Sequence, residues 1–389
     1  MSGAARRHRI SILSSTGSIG RSALEVVRQY PDRFEVVALG AGGNTELLAR
    51  QIAEFKPAYA AVANEAKALS LRETFPETRI LGGMQGFEEA AQIGVDTVLC
   101  AMVGAVGLHP LVKAIEAGNR VAVANKEPFV MAGCCVMEMA AERGVDVLPV
   151  DSEHNAIFQC LLGHRKEDLR CIHLTASGGP FYGRDRETLA DVKPEQAAKH
   201  PTWDMGTKIS VDSATLMNKG LEIVEAMWLF GLPQDQIEVI IHPQSIVHSL
   251  VEFRDGNILA HLGVTDMKFP ILYALTWPDR VDTCMDRLNL ATMKDLSFHA
   301  PDFGEFPCLA LARQAAADGG TATAILNAAN EEAVGAFCRH EIGFLDISRI
   351  VEVVRETCPH SPDYSLDAVL AADEEARVKA RDAMVKIGT

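Results

Sequence analysis

Short apolar runs alternate with amphipathic stretches through the first 150 residues, and that rhythm predicts a βαβ succession. Ile10–Leu13 reads as a strand, residues 22–30 as a helix and residues 34–39 as the next strand. Further strand-like runs follow at residues 59–62, 97–101, 121–124 and 147–150, separated by segments of helical length. Such spacing predicts an α/β fold with an open, mostly parallel sheet covered by helices. Beyond Val150 the strands lengthen, as at residues 237–241 and 245–253, among loops rich in Gly, Pro and His, which predicts an α+β segment. Residues 277–307 are irregular, as in a linker, and from Cys308 the chain is Ala-rich and helical to its end. The expected division is therefore 1–150, 151–276, a linker over 277–307, and 308–389.

Composition narrows the classes. A chain of 389 residues with 48% hydrophobic content has material for two or three packed domains. Its formal charge of -15 disfavours nucleic acid or an anionic membrane as partner, so any anionic ligand must meet local cations or backbone N–H groups. No apolar run is long enough to cross a bilayer, and the basic stretch Met1–Arg9 leads into the first strand without an apolar signal segment. A cytoplasmic location is expected. The nine cysteines, including the adjacent Cys134 and Cys135, lack the spacing of a zinc ribbon or a disulfide framework and read as reduced, mostly buried thiols.

Several stretches carry chemistry. The apolar run Leu148–Val150 ends in Asp151 and Glu153, which an extended backbone would point to one side, offering two hard oxygen ligands to Mg²⁺ or Mn²⁺. The same pattern is common on surfaces. Ser14–Gly20 lies between strand and helix, where backbone N–H groups and the helix dipole can take a pyrophosphate. Gly40–Asn44 follows the second strand, where a Rossmann fold meets the adenosine ribose, and the absence of an acidic residue there argues against plain NAD. Asn125, Lys126 and Glu127 stand at the carboxyl end of another strand.

Farther on, Ser177 beside Gly178 and Gly179 suits an anion, although a simple turn explains it equally well. His200 to Gly206, with Trp203 inside, has the ingredients of a lid. Residues 211–230 read as one helix with Asp212 or Ser213 near its cap and Gly231 past its end. On it Asn218, Lys219 and Glu222 share a sector of about 100°. They would form either an ordinary surface ion pair or a phosphate grip in which Glu222 completes a metal site. A zinc hydrolase fits poorly, because His154, His242, His248 and His261 lack a tight ligand spacing.

Taken together, Thr16–Gly20, Ala124–Glu127, Pro149–Phe158, Ser177–Phe181, Lys208–Glu222, His242–Ser245 and Asn327–Glu331 resemble the 1-deoxy-D-xylulose 5-phosphate reductoisomerase family over nearly the whole chain. The resemblance implies an N-terminal Rossmann-like NADPH-binding domain, a central α+β catalytic domain, a C-terminal all-helical domain and a homodimer. It implies that Asp151, Glu153 and Glu222 hold one divalent cation, and that Lys126 and Ser152 contact the sugar. Ser177, Ser213, Asn218 and Lys219 would hold the phosphate end and nearby hydroxyls, His200 would touch substrate, and Trp203 would sit on a lid. Thr16, Gly17, Ser18, Ile19, Gly42, Gly43, Asn44, Asn125, Glu127 and Gly206 would contact the dinucleotide.

The implied reaction rearranges 1-deoxy-D-xylulose 5-phosphate through retro-aldol cleavage and re-addition. Hydride then reduces the product to 2-C-methyl-D-erythritol 4-phosphate, a step of non-mevalonate isoprenoid precursor synthesis. Ser14, Gly43 and Pro128 depart from the family pattern, where Gly, a basic residue and Ser respectively are usual. The alternatives are a metal-assisted sugar-phosphate dehydrogenase without rearrangement and a non-catalytic dinucleotide-binding regulator.

Overall fold

The computed structural model describes residues 6–203 and 205–387, so the first five residues and Asp204 of the expected lid lie outside the described residues. The chain forms two compact units. One comprises Met1–Pro128, Val136–Ser152 and Asp266–Met285; the other comprises Phe129–Cys135, Glu153–Thr265 and Asp286–Thr389.

The first unit is built on seven parallel strands: β1 (His8–Leu13), β2 (Phe34–Ala41), β3 (Tyr59–Val62), β4 (Arg79–Gly82), β5 (Thr97–Cys100), β6 (Arg120–Val123) and β7 (Val147–Pro149). Their order is β4-β3-β2-β1-β5-β6-β7. Helices cover both faces, which is why Ile10, Ile12, Val98, Leu99 and Val121 are all fully buried and the strands read as continuous apolar runs. The order reverses between β1 and β5. That reversal opens a crevice at the carboxyl ends of the strands, the place where open α/β sheets take their ligands.

The helix after β1 spans Ser18–Gln29, four residues earlier than its apolar pattern begins, because Gly17 already provides an extended N-cap. Gly20 is required inside it: a Cβ there would lie 2.3 Å from the Ser14 carbonyl oxygen and 2.5 Å from the Ser15 Cα. Ser14 itself has φ +80°, the left-handed region that a glycine would occupy without strain.

The second unit holds a mixed sheet of β8 (Leu169–Ala176), β9 (Ile237–Ile241), β10 (Val247–Phe253) and β11 (Ile258–Leu262), ordered β11-β10-β8-β9. β8 and β9 run parallel, and the other two pairs are antiparallel. One face buries Ile172, Leu174 and Val251 in a core shared with Val211, Leu221 and Val224. The Ala-rich tail forms the expected helices, Pro307–Asp318, Ala322–Cys338, Phe344–Thr357 and Leu366–Ile387. Among the described residues no helix is long and apolar enough to cross a membrane, and all nine cysteines are free.

Two sequence expectations are corrected. Residues 211–230 are not one helix but parts of two, Thr207–Ala214 and Met217–Phe230. Leu216 takes φ +59°, and the Thr215 hydroxyl accepts the Met217 N–H at 3.3 Å. Burial of the Leu216 side chain holds this left-handed break, which neither Gly nor Pro announces. Asp151 and Glu153 also do not share an extended segment: the strand stops at Pro149, and Ser152 opens the helix Ser152–Leu161.

Candidate active site

In the first unit the expected dinucleotide residues all fall at the carboxyl ends of the parallel strands. Thr16, Gly17, Ser18 and Ile19 follow β1; Gly42, Gly43 and Asn44 follow β2; Asn125, Lys126 and Glu127 follow β6. No side chain caps the helix Ser18–Gln29, so its first N–H groups are available to an anion. Asn44 instead caps its own helix, accepting from the Leu47 N–H at 3.0 Å.

Asn125 supplies a direct test of whether a polar ligand belongs here. Its amide is buried, and neither the oxygen nor the nitrogen has a hydrogen-bond partner among the described residues. An unsatisfied buried amide costs on the order of 1–3 kcal/mol, which a hydrogen-bonding cofactor would offset. The residues present therefore fit a dinucleotide.

A basic side chain does stand beside Gly43. Lys67, on the helix Glu65–Thr74, places its ammonium 2.9 Å from the Gly43 carbonyl oxygen. Sequence reading missed it, because 24 positions separate the two residues.

Three carboxylates gather around the start of the helix Ser152–Leu161. One oxygen from each of Asp151, Glu153 and Glu222 lies within 4.8 Å of the others. Asp151 precedes Glu153 by two residues, so chain continuity carries it to the same turn. Glu222 arrives from Met217–Phe230, oriented by Asn218, whose amide donates to its Oε1 at 2.6 Å. Lys219 donates to Glu153 Oε1 at 2.8 Å and to Glu222 Oε2; Lys126 donates to Asp151 Oδ2. Here the ammonium groups supply the positive charge that a cation would bring. An all-oxygen, anionic donor set fits Mg²⁺ or Mn²⁺ and disfavours softer ions.

Behind the trio, His154 donates from Nε2 to the Glu222 carbonyl at 3.0 Å, with its Nδ1 3.3 Å from buried Glu225. His154 thereby makes a positioning contact to Glu222. His242 is likewise structural. Its Nδ1 donates to the Ser297 carbonyl and its Nε2 accepts two backbone N–H groups.

Ser177 and His200 form a second polar group. The His200 Nδ1 accepts from the backbone N–H of Trp203 at 3.0 Å and of Thr202 at 3.3 Å, so the ring proton sits on Nε2, 2.8 Å from Ser177 Oγ. Burial pulls the His200 pKa down to about 4, against a smaller upward pull from Glu153, which keeps the ring neutral. Ser177 Oγ accepts from His200 and from the Gly179 N–H at 3.1 Å. With both lone pairs engaged, its hydroxyl hydrogen is directed to an outside acceptor, as an anion-binding serine requires.

Gly179, at φ +71°, packs so closely that a Cβ would meet the Ser213 carbonyl oxygen at 2.6 Å. This contact joins the Ser177 loop to the end of Thr207–Ala214, where Ser213 stands. Gly206 is not brought there. It caps the opposite end of that eight-residue helix, about 10 Å away.

Comparison with known proteins identifies the family. Family models match three segments: 1-deoxy-D-xylulose 5-phosphate reductoisomerase over residues 10–133, its C-terminal domain over 147–230, and the DXP reductoisomerase C-terminal domain over 262–379. The 1-deoxy-D-xylulose 5-phosphate reductoisomerase of Burkholderia lata is 50% identical over 385 residues, covering 97% of each chain. The Zymomonas mobilis enzyme, solved in complex with NADPH, superposes with a TM-score of 0.90 at 42% identity, covering 97% of this chain and 99% of that one. A DOX-P reductoisomerase solved with NADPH, fosmidomycin and magnesium gives 0.91 at 40% identity, with 97% and 98% covered. The chain belongs to the 1-deoxy-D-xylulose 5-phosphate reductoisomerase family.

Proposed function

We propose that the protein converts 1-deoxy-D-xylulose 5-phosphate to 2-C-methyl-D-erythritol 4-phosphate with NADPH and a divalent cation, a step in isoprenoid precursor synthesis. The observation that carries this reading is the convergence of Asp151, Glu153 and Glu222 beside Lys219 and Asn218. A plain dinucleotide sensor has no use for that combination. The three carboxylates hold Mg²⁺ or Mn²⁺, which supplies Lewis acidity toward a sugar carbonyl, while NADPH supplies hydride.

The remaining work falls to side chains. Ser177 donates its directed hydroxyl hydrogen to a phosphate oxygen, and His200 keeps that hydrogen aimed. Ser213, Asn218 and Lys219 contribute further donors to the phosphate end and adjacent hydroxyls. Ser152 and Lys126 meet the sugar, where the Lys126 ammonium can stabilise an oxygen that gains negative charge. Trp203 covers the bound sugar against water.

Thr16 to Ile19, Gly42 to Asn44, Asn125, Glu127 and Gly206 receive the dinucleotide, with Lys67 supplying the charge for its 2′-phosphate. Functionally, 1–150 serves NADPH, 151–276 serves metal and substrate, and 308–389 is a helical support reached through 277–307. Contact density groups the latter segments differently, placing Asp266–Met285 in the first unit and the helical tail in the second.

The protein is further proposed to work as a cytoplasmic homodimer. Edge strand β11 supports the dimer, since it exposes Ile258, Leu259 and Leu262 along the sheet's open edge.

The deciding assay follows NADPH absorbance with 1-deoxy-D-xylulose 5-phosphate, with and without Mn²⁺ or Mg²⁺, and identifies the product. Metal-dependent oxidation giving a branched polyol phosphate is expected. Cofactor binding without turnover would return the protein to the sensor class, and an unbranched product would make it a simple dehydrogenase.

A further inference from the structure

Four polar side chains occupy the face of the second unit's sheet opposite its apolar core. Cys171 and His173 stand two residues apart on β8 and so project from the same face. The register sets Glu252 of β10 against Cys171, and Glu238 of β9 against His173. None of the four takes part in the chemistry described above.

The distances among them are those of a ligand set. Cys171 Sγ is 3.6 Å from His173 Nε2 and 3.6 Å from Glu252 Oε2, and the last two atoms are 3.0 Å apart. A tetrahedral Zn²⁺ with bonds of about 2.3 Å to sulfur and about 2.0 Å to nitrogen and oxygen separates its ligand atoms by roughly 3.3–3.6 Å. The triangle matches on two edges and is short by about 0.3 Å on the third.

The outer contacts fit as well. His173 Nδ1 is 3.2 Å from Glu238 Oε2, the carboxylate-to-imidazole contact that orients a metal-binding histidine. Arg170 holds Glu252 Oε1 and leaves Oε2 facing the sulfur and imidazole. The His173 and Glu252 side chains are 16% and 14% exposed, so a fourth position can be filled by water.

We propose that Cys171, His173 and Glu252 form a second metal site, selective for a borderline-soft divalent ion such as Zn²⁺, with Glu238 and Arg170 orienting its ligands. The sulfur excludes Mg²⁺, just as the oxygen-only trio disfavours soft ions. Binding replaces S–H with S–metal and releases one proton, and affinity rises with pH. The ion clamps β8 to β10, and β8 runs directly toward Ser177.

The test uses the full chain, stripped of metal and kept in excess Mg²⁺ so that the oxygen site is filled, then titrated with Co²⁺. One equivalent should give the near-ultraviolet charge-transfer band of a thiolate bound to cobalt, and Zn²⁺ should abolish it. The band should vanish in Cys171→Ser, persist in Glu222→Gln, and need at least about tenfold more Co²⁺ in Glu238→Gln, whose exposed side chain makes a folding defect an unsuitable explanation. Absence of the band in the natural protein, or its retention in Cys171→Ser, would leave adventitious binding only and overturn the proposal.

Discussion

At the scale of single residues, Glu222 is the most exposed to test. It is buried, oriented by Asn218 and His154, and shares Lys219 with Glu153. Glu222→Gln keeps the shape and removes the charge. Turnover is expected to fall about 100-fold or more, through loss of the cation's Lewis acidity, while NADPH affinity measured by fluorescence titration stays within about twofold. Equal losses in both would remove Glu222 from the metal site.

His200 makes a pH prediction. Its pKa lies below the ordinary 6.5 of the unfolded chain, so between about pH 6.5 and pH 4 the unfolded state binds the extra proton and the folded state does not. This group therefore withdraws stability as pH falls through that window and contributes no change above it. Its ring resonances, followed by NMR, should titrate near 4. Lys67→Ala should raise the KM for NADPH about tenfold and leave that for NADH unchanged, since one charge-assisted hydrogen bond to the 2′-phosphate is worth about 1.5 kcal/mol or more.

At the scale of elements, Gly179 shows how a loop is tied to a helix end. Gly179→Ala forces a side chain into the left-handed region and against the Ser213 carbonyl, and should cost on the order of 2 kcal/mol or more in chemical denaturation. Phosphate-end binding should weaken with it. The parallel strands were legible in the sequence because burial on both faces leaves uninterrupted apolar runs. β8 was not, since Arg170, Cys171 and His173 interrupt its pattern. β4 was missed because Arg79 and Gly82 leave only Ile80 and Leu81 as an apolar run, and the break at Leu216 is held by packing that no local residue type reveals.

The acidic trio was legible for a partly mistaken reason. Asp151 and Glu153 do converge, but at a strand-to-helix turn, where negative charge also favours the helix N-terminus. Lys67 and Glu225 were invisible because their roles exist only across long sequence separations.

At the scale of the whole molecule, a net charge of -15 makes anion binding a matter of local placement. Lys126 and Lys219 are both buried, each placed against carboxylates rather than in solvent. Assembly is also a whole-molecule property. Leu259→Lys puts a charge on the exposed edge of β11, and sedimentation should find monomer for the variant and the proposed dimer for the natural chain. An unchanged mass would place the subunit contact elsewhere.

The position of Lys219 between Glu153 and Glu222 has one more consequence. A single ammonium cannot neutralise those carboxylates and grip a phosphate equally well at the same moment. A cation that takes over the carboxylates releases the ammonium for phosphate, and phosphate that draws the ammonium away improves the cation's site. In the roles proposed for them, the two ligands thus raise each other's affinity by the same factor, a reciprocity that resides in one side chain.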